Sequence, residues 1–146
     1  MSTVDIQVKL LHDRAQLPVY MTDFAAGMDL FACFDEPLRL LPGQRFLVPT
    51  GIALAIPAGY EGQVRPRSGL AIKKGLTLVN APGTIDADYR GEVKIILINH
   101  GQDLVTITSG ERIAQLVIAP VQRARLTLVE QLDTTTRDAG GFGHTG

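Results

Sequence analysis

The sequence predicts an all-β chain with one short helix. Apolar runs rich in Val, Ile and Leu recur along it, each about the length of a strand. Gly and Pro pairs punctuate those runs. No internal repeat, coiled-coil heptad or long amphipathic helix interrupts the pattern. Spacing of this kind suits a sandwich, a barrel or a jelly roll.

Taken in order, the predicted strands lie in RFLVPTGIALAIPAGYEG, GLTLVNAPG, EVKIILIN, DLVTITSGERIAQLVIAPV and ARLTLVEQL. Pro42-Gly43, Pro57-Ala58-Gly59 and Ser109-Gly110 supply turns between them. Between the first two runs, RPRSGLAIKKG predicts the helix. Ser68 is its expected N-cap and Gly75 its terminator. Lys73 and Lys74 fall in its last turn, where cations suit the dipole. In EVKIILIN, Val93, Ile95 and Leu97 share one face, yet Ile96 and Ile98 on the other are also apolar. In RIAQLVIAPV, Ile113 and Val117 point one way while Leu116 and Ile118 point the other. An antiparallel sheet in a small monomer usually leaves one face wet. Both strands are therefore expected to be covered on two sides, by a second sheet or by a neighbouring subunit, and an oligomer is the favoured expectation.

Composition narrows the classes of function. The chain has 146 residues, of which 45% are hydrophobic, enough for one domain with a real core. Its 14 basic and 15 acidic residues leave a formal net charge of -1. That balance gives no footprint for nucleic acid or anionic membrane. An anionic ligand would need a local cluster of donors. Cys33, the single cysteine, cannot form an internal disulfide and reads as a small buried hydrophobe. The N-terminus lacks a signal-peptide pattern, and no apolar stretch is long enough to span a bilayer. A reducing, cytoplasmic setting is the expectation.

Four segments carry groups that can do chemistry. Val79 to Asn99 places Asp86, Asp88 and Tyr89 between the Pro82-Gly83 turn and an apolar strand. A turn that delivers acids and a ring onto a rigid strand can hold a polar ligand, or it can be a hairpin with solvated acids. Arg67 and Ser68 stand at the helix start, where free N–H groups and a guanidinium favour phosphate; an ordinary capped surface helix has the same pattern. Gln115 lies inside an apolar strand, so its carboxamide needs a protein partner or a ligand. Asp29, in AAGMDLFA, can orient a cationic side chain or a metal-bound water, or serve a turn. His12 and His100 have no companions at metal-ligand spacing and are expected on the surface. No Cys/His metal spacing and no Ser-His-Asp set is present, which disfavours a caged metal and leaves open a Mg²⁺ carried by phosphates and water.

The C-terminal RDAGGFGHTG has four glycines in ten residues and cannot build a stable strand. It is either a frayed tail or an arm. Arg137, Phe142, His144 and Thr145 supply a guanidinium, a ring, an imidazole and a hydroxyl, with free backbone amides between them. Such an arm can order over a phosphorylated aromatic ligand.

These pieces resemble the homotrimeric deoxyuridine triphosphate nucleotidohydrolases, the dUTPases. The five ordered motifs of that family look like AAGMDLFA, RPRSGLAIKKGL, NAPGTIDADYRGEV, GERIAQLV and RDAGGFGHTG. The resemblance implies a jelly-roll-like β-barrel over residues 1–132, a flexible arm over 133–146, and active sites shared within a homotrimer. It implies hydrolysis of dUTP to dUMP and pyrophosphate by water attack on the α-phosphate, with Mg²⁺ on the triphosphate. That reaction keeps uracil out of DNA and supplies dUMP for thymidylate synthesis.

By motif position, Asp86 resembles the catalytic acid that activates the water. Asn80, Thr84 and Ile85 resemble uracil and sugar contacts, and Tyr89 the ring that leaves no room for a 2′-OH. Arg67, Ser68, Gly69 and Gln115 resemble phosphate contacts. Lys94 resembles a main-chain contact. Phe142 resembles the ring that stacks on uracil, while Arg137, Gly143, His144 and Thr145 resemble phosphate ligands of the arm. Asp29 resembles an acid near the metal's water shell. Asp88 has no comparable role in the family. Two positions depart from the family pattern: Asp138 replaces a glycine and His144 replaces a serine. The competing expectations are a dCTP deaminase of the same fold, whose base is a Glu, and a non-catalytic nucleotide-binding trimer.

Overall fold

A computed structural model describes residues 2–146. The longest strand, Arg45–Ala55, is rich in apolar residues, as is its partner, Glu92–Asn99. Numbered in chain order, the strands are β1 (Gln7–Leu10), β2 (Met28–Phe31), β3 (Leu38–Leu40), β4 (Arg45–Ala55), β5 (Tyr60–Arg65), β6 (Leu76–Leu78), β7 (Gly83–Ile85), β8 (Glu92–Asn99), β9 (Val105–Ile107) and β10 (Arg112–Pro120). One helix, α1 (Ser68–Lys74), joins β5 to β6. The sheets run β1-β4-β8-β6, β2-β10-β5-β7 and β3-β9, with every pairing antiparallel. The mostly-β, jelly-roll-like architecture agrees with the prediction.

The core lies between the two larger sheets. Val48, Ile52, Val93, Ile95 and Leu97 from the first meet Leu30, Val64, Ile113 and Leu116 from the second. Each such side chain contributes roughly 1.5–3 kcal/mol by leaving water. Asn99 is fully buried at the end of β8 and ties separate pieces together. Its amide donates to Leu40 O at 2.9 Å and Asp103 O at 2.8 Å, and its oxygen accepts from Gly101 N at 2.8 Å. Cys33 is buried as expected, and burial pushes its thiol above the ordinary range.

Four expectations change. The cap of α1 is Arg67, in extended conformation, and no side chain closes the first turn. Ser68 is already inside the helix, because the first helical bond runs from Ala71 N to Arg67 O. Gly75 ends the helix as predicted, at φ 68°.

Second, β10 does not alternate cleanly. Ile113, Ala114 and Leu116 are all buried, because a register shift between Arg112 and Ala114 turns the strand. Third, β8 buries Val93, Ile95 and Leu97, while Ile96 and Ile98 stay half-buried in the single chain. Their second cover does not come from this chain's own sheets. Fourth, ARLTLVEQL forms no strand. Regular structure ends at Pro120, and Leu126 and Leu128 are almost wholly exposed. An apolar sequence alone makes no strand; it needs an edge to pair with.

Candidate active site

The stretch after β6, through β7 and into β8, lines a cavity of about 280 Å³ together with residues of both larger sheets. β7 is held at the sheet edge by pairing Gly83, Thr84 and Ile85 with Val64, Gln63 and Gly62. Gly83 gives the chain room to approach Asn80, whose amide nitrogen would lie 3.2 Å from a Cβ there. Beyond β7 the chain turns, with Tyr89 N donating to Asp86 O at 3.1 Å. Arg90 braces the turn by donating to Ala87 O at 2.6 Å and Tyr89 O at 3.0 Å.

Asn80, Thr84, Ile85, Asp86, Tyr89 and Lys94 all line this cavity, over an apolar floor that includes Val64, Val93 and Ile95. The sequence therefore placed six candidate residues in one site. It missed Glu92, which also lines the cavity. Glu92 accepts from Gly51 N at 3.1 Å and lies 3.6 Å from the Lys94 ammonium. Its signal was an acid at the head of an apolar strand. Asp86 is exposed at the wall, and its carboxylate takes no hydrogen bond from the described residues. A free carboxylate on a cavity wall can accept a proton from a water within hydrogen-bond reach. Asp88 is exposed and does not line the cavity.

A second cluster forms on the sheet β2-β10-β5. Gln115 pairs in register with Asp29 on one side and Arg65 on the other. Asp29 is only 7% exposed. Its carboxylate lies 3.2 Å from Arg67 Nε and 3.1 Å from Arg112 Nη1. Arg67 also donates to Arg112 O at 3.1 Å. Of the roles open to Asp29, orienting cationic side chains is the one the geometry displays. Arg112 escaped the sequence reading because nothing in GERIAQLV marks its side chain as a partner of a residue 83 positions away. Gln115 has both a protein partner and a tight seat: its amide donates to Pro66 O at 3.0 Å, and a Cβ at Gly27 would stand 2.7 Å from its oxygen. Ser68 and Gly69 follow Arg67 on the exposed start of α1.

The third group is the arm. Arg137 Nε donates to Gly140 O at 2.8 Å, and Asp138 N donates to Thr135 Oγ1 at 2.9 Å. The ring of His144 lies over Gly140, where a Cβ would stand 2.5 Å from it. Asp138 and Phe142 have positive φ, 47° and 50°. Aspartate tolerates the left-handed region better than most residues, at about 1 kcal/mol relative to glycine. Phe142, Gly143, His144 and Thr145 are exposed. Among the described residues, no side-chain hydrogen bond or ion pair joins the cavity, the arginine cluster and the arm to one another. His12 sits on the surface beside Asp13, at 2.9 Å, and His100 is exposed.

The mostly-β frame, its cavity and the Asp29–Arg67–Arg112 cluster are found here in a chain whose relatives are β-fold nucleotide hydrolases. Within that class, the chain belongs to the dUTPase family, whose model matches residues 13–146. It is 66% identical to the deoxyuridine 5'-triphosphate nucleotidohydrolase of Syntrophotalea carbinolica, over 100% of this chain and 99% of that protein. It is 60% identical to the enzyme of the same name from an Anaeromyxobacter species, over 98% of each. Among solved structures, a Staphylococcus bacteriophage 80alpha dUTPase mutant with dUpNHpp superposes with a TM-score of 0.90, at 31% identity and 99% coverage of both chains. A dUTPase mutant from phage phi11 of S. aureus, described for its coordination of a structural Mg(II) ion, superposes with a TM-score of 0.80 at 29% identity, over 87% of this chain and 97% of that one.

Proposed function

We propose that the chain hydrolyses dUTP to dUMP and pyrophosphate. The observation that carries this reading is the unpaired carboxylate of Asp86 on the wall of a nucleoside-sized cavity, in a chain of the dUTPase family. Asp86 accepts a proton as a water oxygen attacks the α-phosphorus. The bond from that phosphorus to the bridging oxygen breaks, and pyrophosphate leaves. Such chemistry needs positioning and charge neutralisation more than covalent catalysis.

Asn80 and the backbone of Thr84 and Ile85 read uracil, and the Tyr89 ring packs on the deoxyribose where a 2′-OH would sit. Lys94 contributes its main chain. Arg67, Ser68, Gly69 and Gln115 bind phosphate. Phe142 stacks on uracil as the arm closes, with Arg137, Gly143, His144 and Thr145 on the outer phosphates.

The residues fit a Mg²⁺ that arrives on the triphosphate. Among the described residues, no group of three or more His, Cys, Asp or Glu is arranged to hold a metal. Asp29 would reach such an ion only through water, by lone pairs left over from its two arginines. When bound, the ion supplies charge neutralisation on the phosphates.

Residues 1–132 act as the barrel domain and 133–146 as the closing arm. The working form is a homotrimer, in keeping with three groups that are unconnected in one chain and with Leu126 and Leu128, which are almost wholly exposed in it. A monomeric mass in solution would sink that part. No helix among the described residues is long and apolar enough to cross a membrane. The setting is cytoplasmic, in line with a lone buried thiol. The partner is dUTP rather than nucleic acid or membrane. The activity keeps uracil out of DNA and supplies dUMP for thymidylate synthesis.

The test is pyrophosphate release with Mg²⁺ from dUTP, UTP, dTTP and dCTP. Release from dUTP alone is expected. Ammonia from dCTP would mark a deaminase, and dUTP binding without pyrophosphate a non-catalytic binder. Replacing His144 with Ala is expected to raise KM more than it lowers kcat, because its contact exists already in the ground state. Steady-state kinetics that leave KM unchanged would remove His144 from phosphate binding.

A further inference from the structure

Tyr89 is held in place by a residue with no side chain. A Cβ built on Gly91 would stand 2.4 Å from the Tyr89 hydroxyl, 2.7 Å from its Cζ and 3.0 Å from its Cε2. The hydroxyl and two atoms of the ring therefore occupy the volume a larger residue at 91 would claim. No small adjustment of one atom relieves that overlap; the ring must swing as a unit. In its present position the hydroxyl donates to Glu92 O at 2.9 Å. The acceptor is itself anchored, since the Glu92 carboxylate accepts from Gly51 N at 3.1 Å. Gly51 in turn sits at φ 71° against Ala15 and Cys33, where a Cβ would come within 2.8 Å and 3.0 Å of their side chains. The ring is thus fixed through Glu92 to a tightly packed bend in β4. Tyr89 is nevertheless 47% exposed, so neither burial nor core packing confines it.

We propose that Gly91 is a positioning residue for sugar selectivity. By leaving its volume empty, it lets the Tyr89 ring lie across the chain onto Glu92 O, the pose in which the ring lines the cavity and stands against a 2′-hydroxyl. The proposal rests on Tyr89 being the sugar gate. A methyl at position 91 pushes the ring off Glu92 O and leaves room beside the sugar. The backbone is not the obstacle: Gly91 has no positive φ and is exposed, so alanine fits its conformation.

The experiment measures kcat/KM for dUTP and UTP in three full-length variants, Gly91→Ala, Tyr89→Phe and Tyr89→Ala. In Gly91→Ala the dUTP preference is expected to fall about tenfold or more, mainly by a gain toward UTP, with little change in thermal unfolding. Tyr89→Phe keeps the ring, removes only the hydroxyl, and loses a smaller part of the preference. If Gly91→Ala and Tyr89→Phe both keep the full preference while Tyr89→Ala loses it, the gate stands and the role of Gly91 is overturned. If Tyr89→Ala also keeps the preference, the gate itself is wrong. A fall in activity toward both nucleotides alike would reduce Gly91 to a structural glycine and overturn the proposal too.

Discussion

Replacing Asp86 with Asn lowers turnover about 10²–10⁴-fold and leaves the fold untouched. The expectation follows from what the carboxylate does not do. It takes no hydrogen bond from the described residues, and it is exposed at the cavity wall. Stability should therefore change by no more than about 0.5 kcal/mol, as for an ordinary surface substitution. Asparagine fills the same volume but cannot take a proton from water. The neighbouring acid, Glu92, cannot substitute readily, because its oxygens face Gly51 N and the Lys94 ammonium. Single-turnover pyrophosphate release gives the rate, and calorimetry with dUMP gives the binding. Near-normal release would take Asp86 out of the reaction. Lost dUMP binding would make it a ligand contact instead.

Legibility of the cavity in the sequence has a simple cause. Asn80, Thr84, Ile85, Asp86, Tyr89 and Lys94 sit close together along one stretch of chain, although β7 and β8, which carry part of it, belong to different sheets. The Pro82-Gly83 turn before an apolar strand marked Asp86 and Tyr89, while Asn80, Thr84, Ile85 and Lys94 were grouped with them only by their positions in the motif that resembles the family's. The arginine cluster obeys no local rule. Asp29, Arg67 and Arg112 meet because β10 lies between β2 and β5, and only the sheet order reveals it. Gln115 was legible as a polar group in an apolar strand, yet its partner at Pro66 was not.

The strands show the same division. Apolar runs located β4, β8 and β10, but they misjudged where pairing stops. ARLTLVEQL has the composition of a strand and no edge to join within its own chain. Burial in β10 departs from strict alternation because the shift at Arg112 and Ala114 is a two-strand property, invisible in one strand's sequence. Ser68 failed as a cap for a subtler reason. The residue before it, Arg67, supplies the carbonyl that starts the helix, while its guanidinium is committed to Asp29 and Arg112.

Removing the Asp29 carboxylate, by Asp29→Ala, is expected to cost both stability and catalysis. Breaking a buried ion pair costs about 3–5 kcal/mol when the remaining charge is stranded. Here the Arg67 and Arg112 side chains keep 26% and 41% of their exposure, so water can partly reclaim them. A loss of about 2–3 kcal/mol is the scaled expectation. Catalysis should suffer further, because two guanidiniums that converged on one acid now repel, and Arg67 loses its aim at phosphate. A fall of about a hundredfold in kcat/KM matches the removal of one well-placed donor. Asp29→Asn keeps an acceptor and the volume, and should recover part of the stability but less of the rate. Denaturation must be measured without Mg²⁺ and without nucleotide, since that condition separates two roles. An acid that only orders the metal's water shell would leave the unfolding midpoint unchanged and yield a variant rescued by excess Mg²⁺. An acid that preorganises arginines shifts the midpoint with no metal present, and Mg²⁺ does not restore the rate.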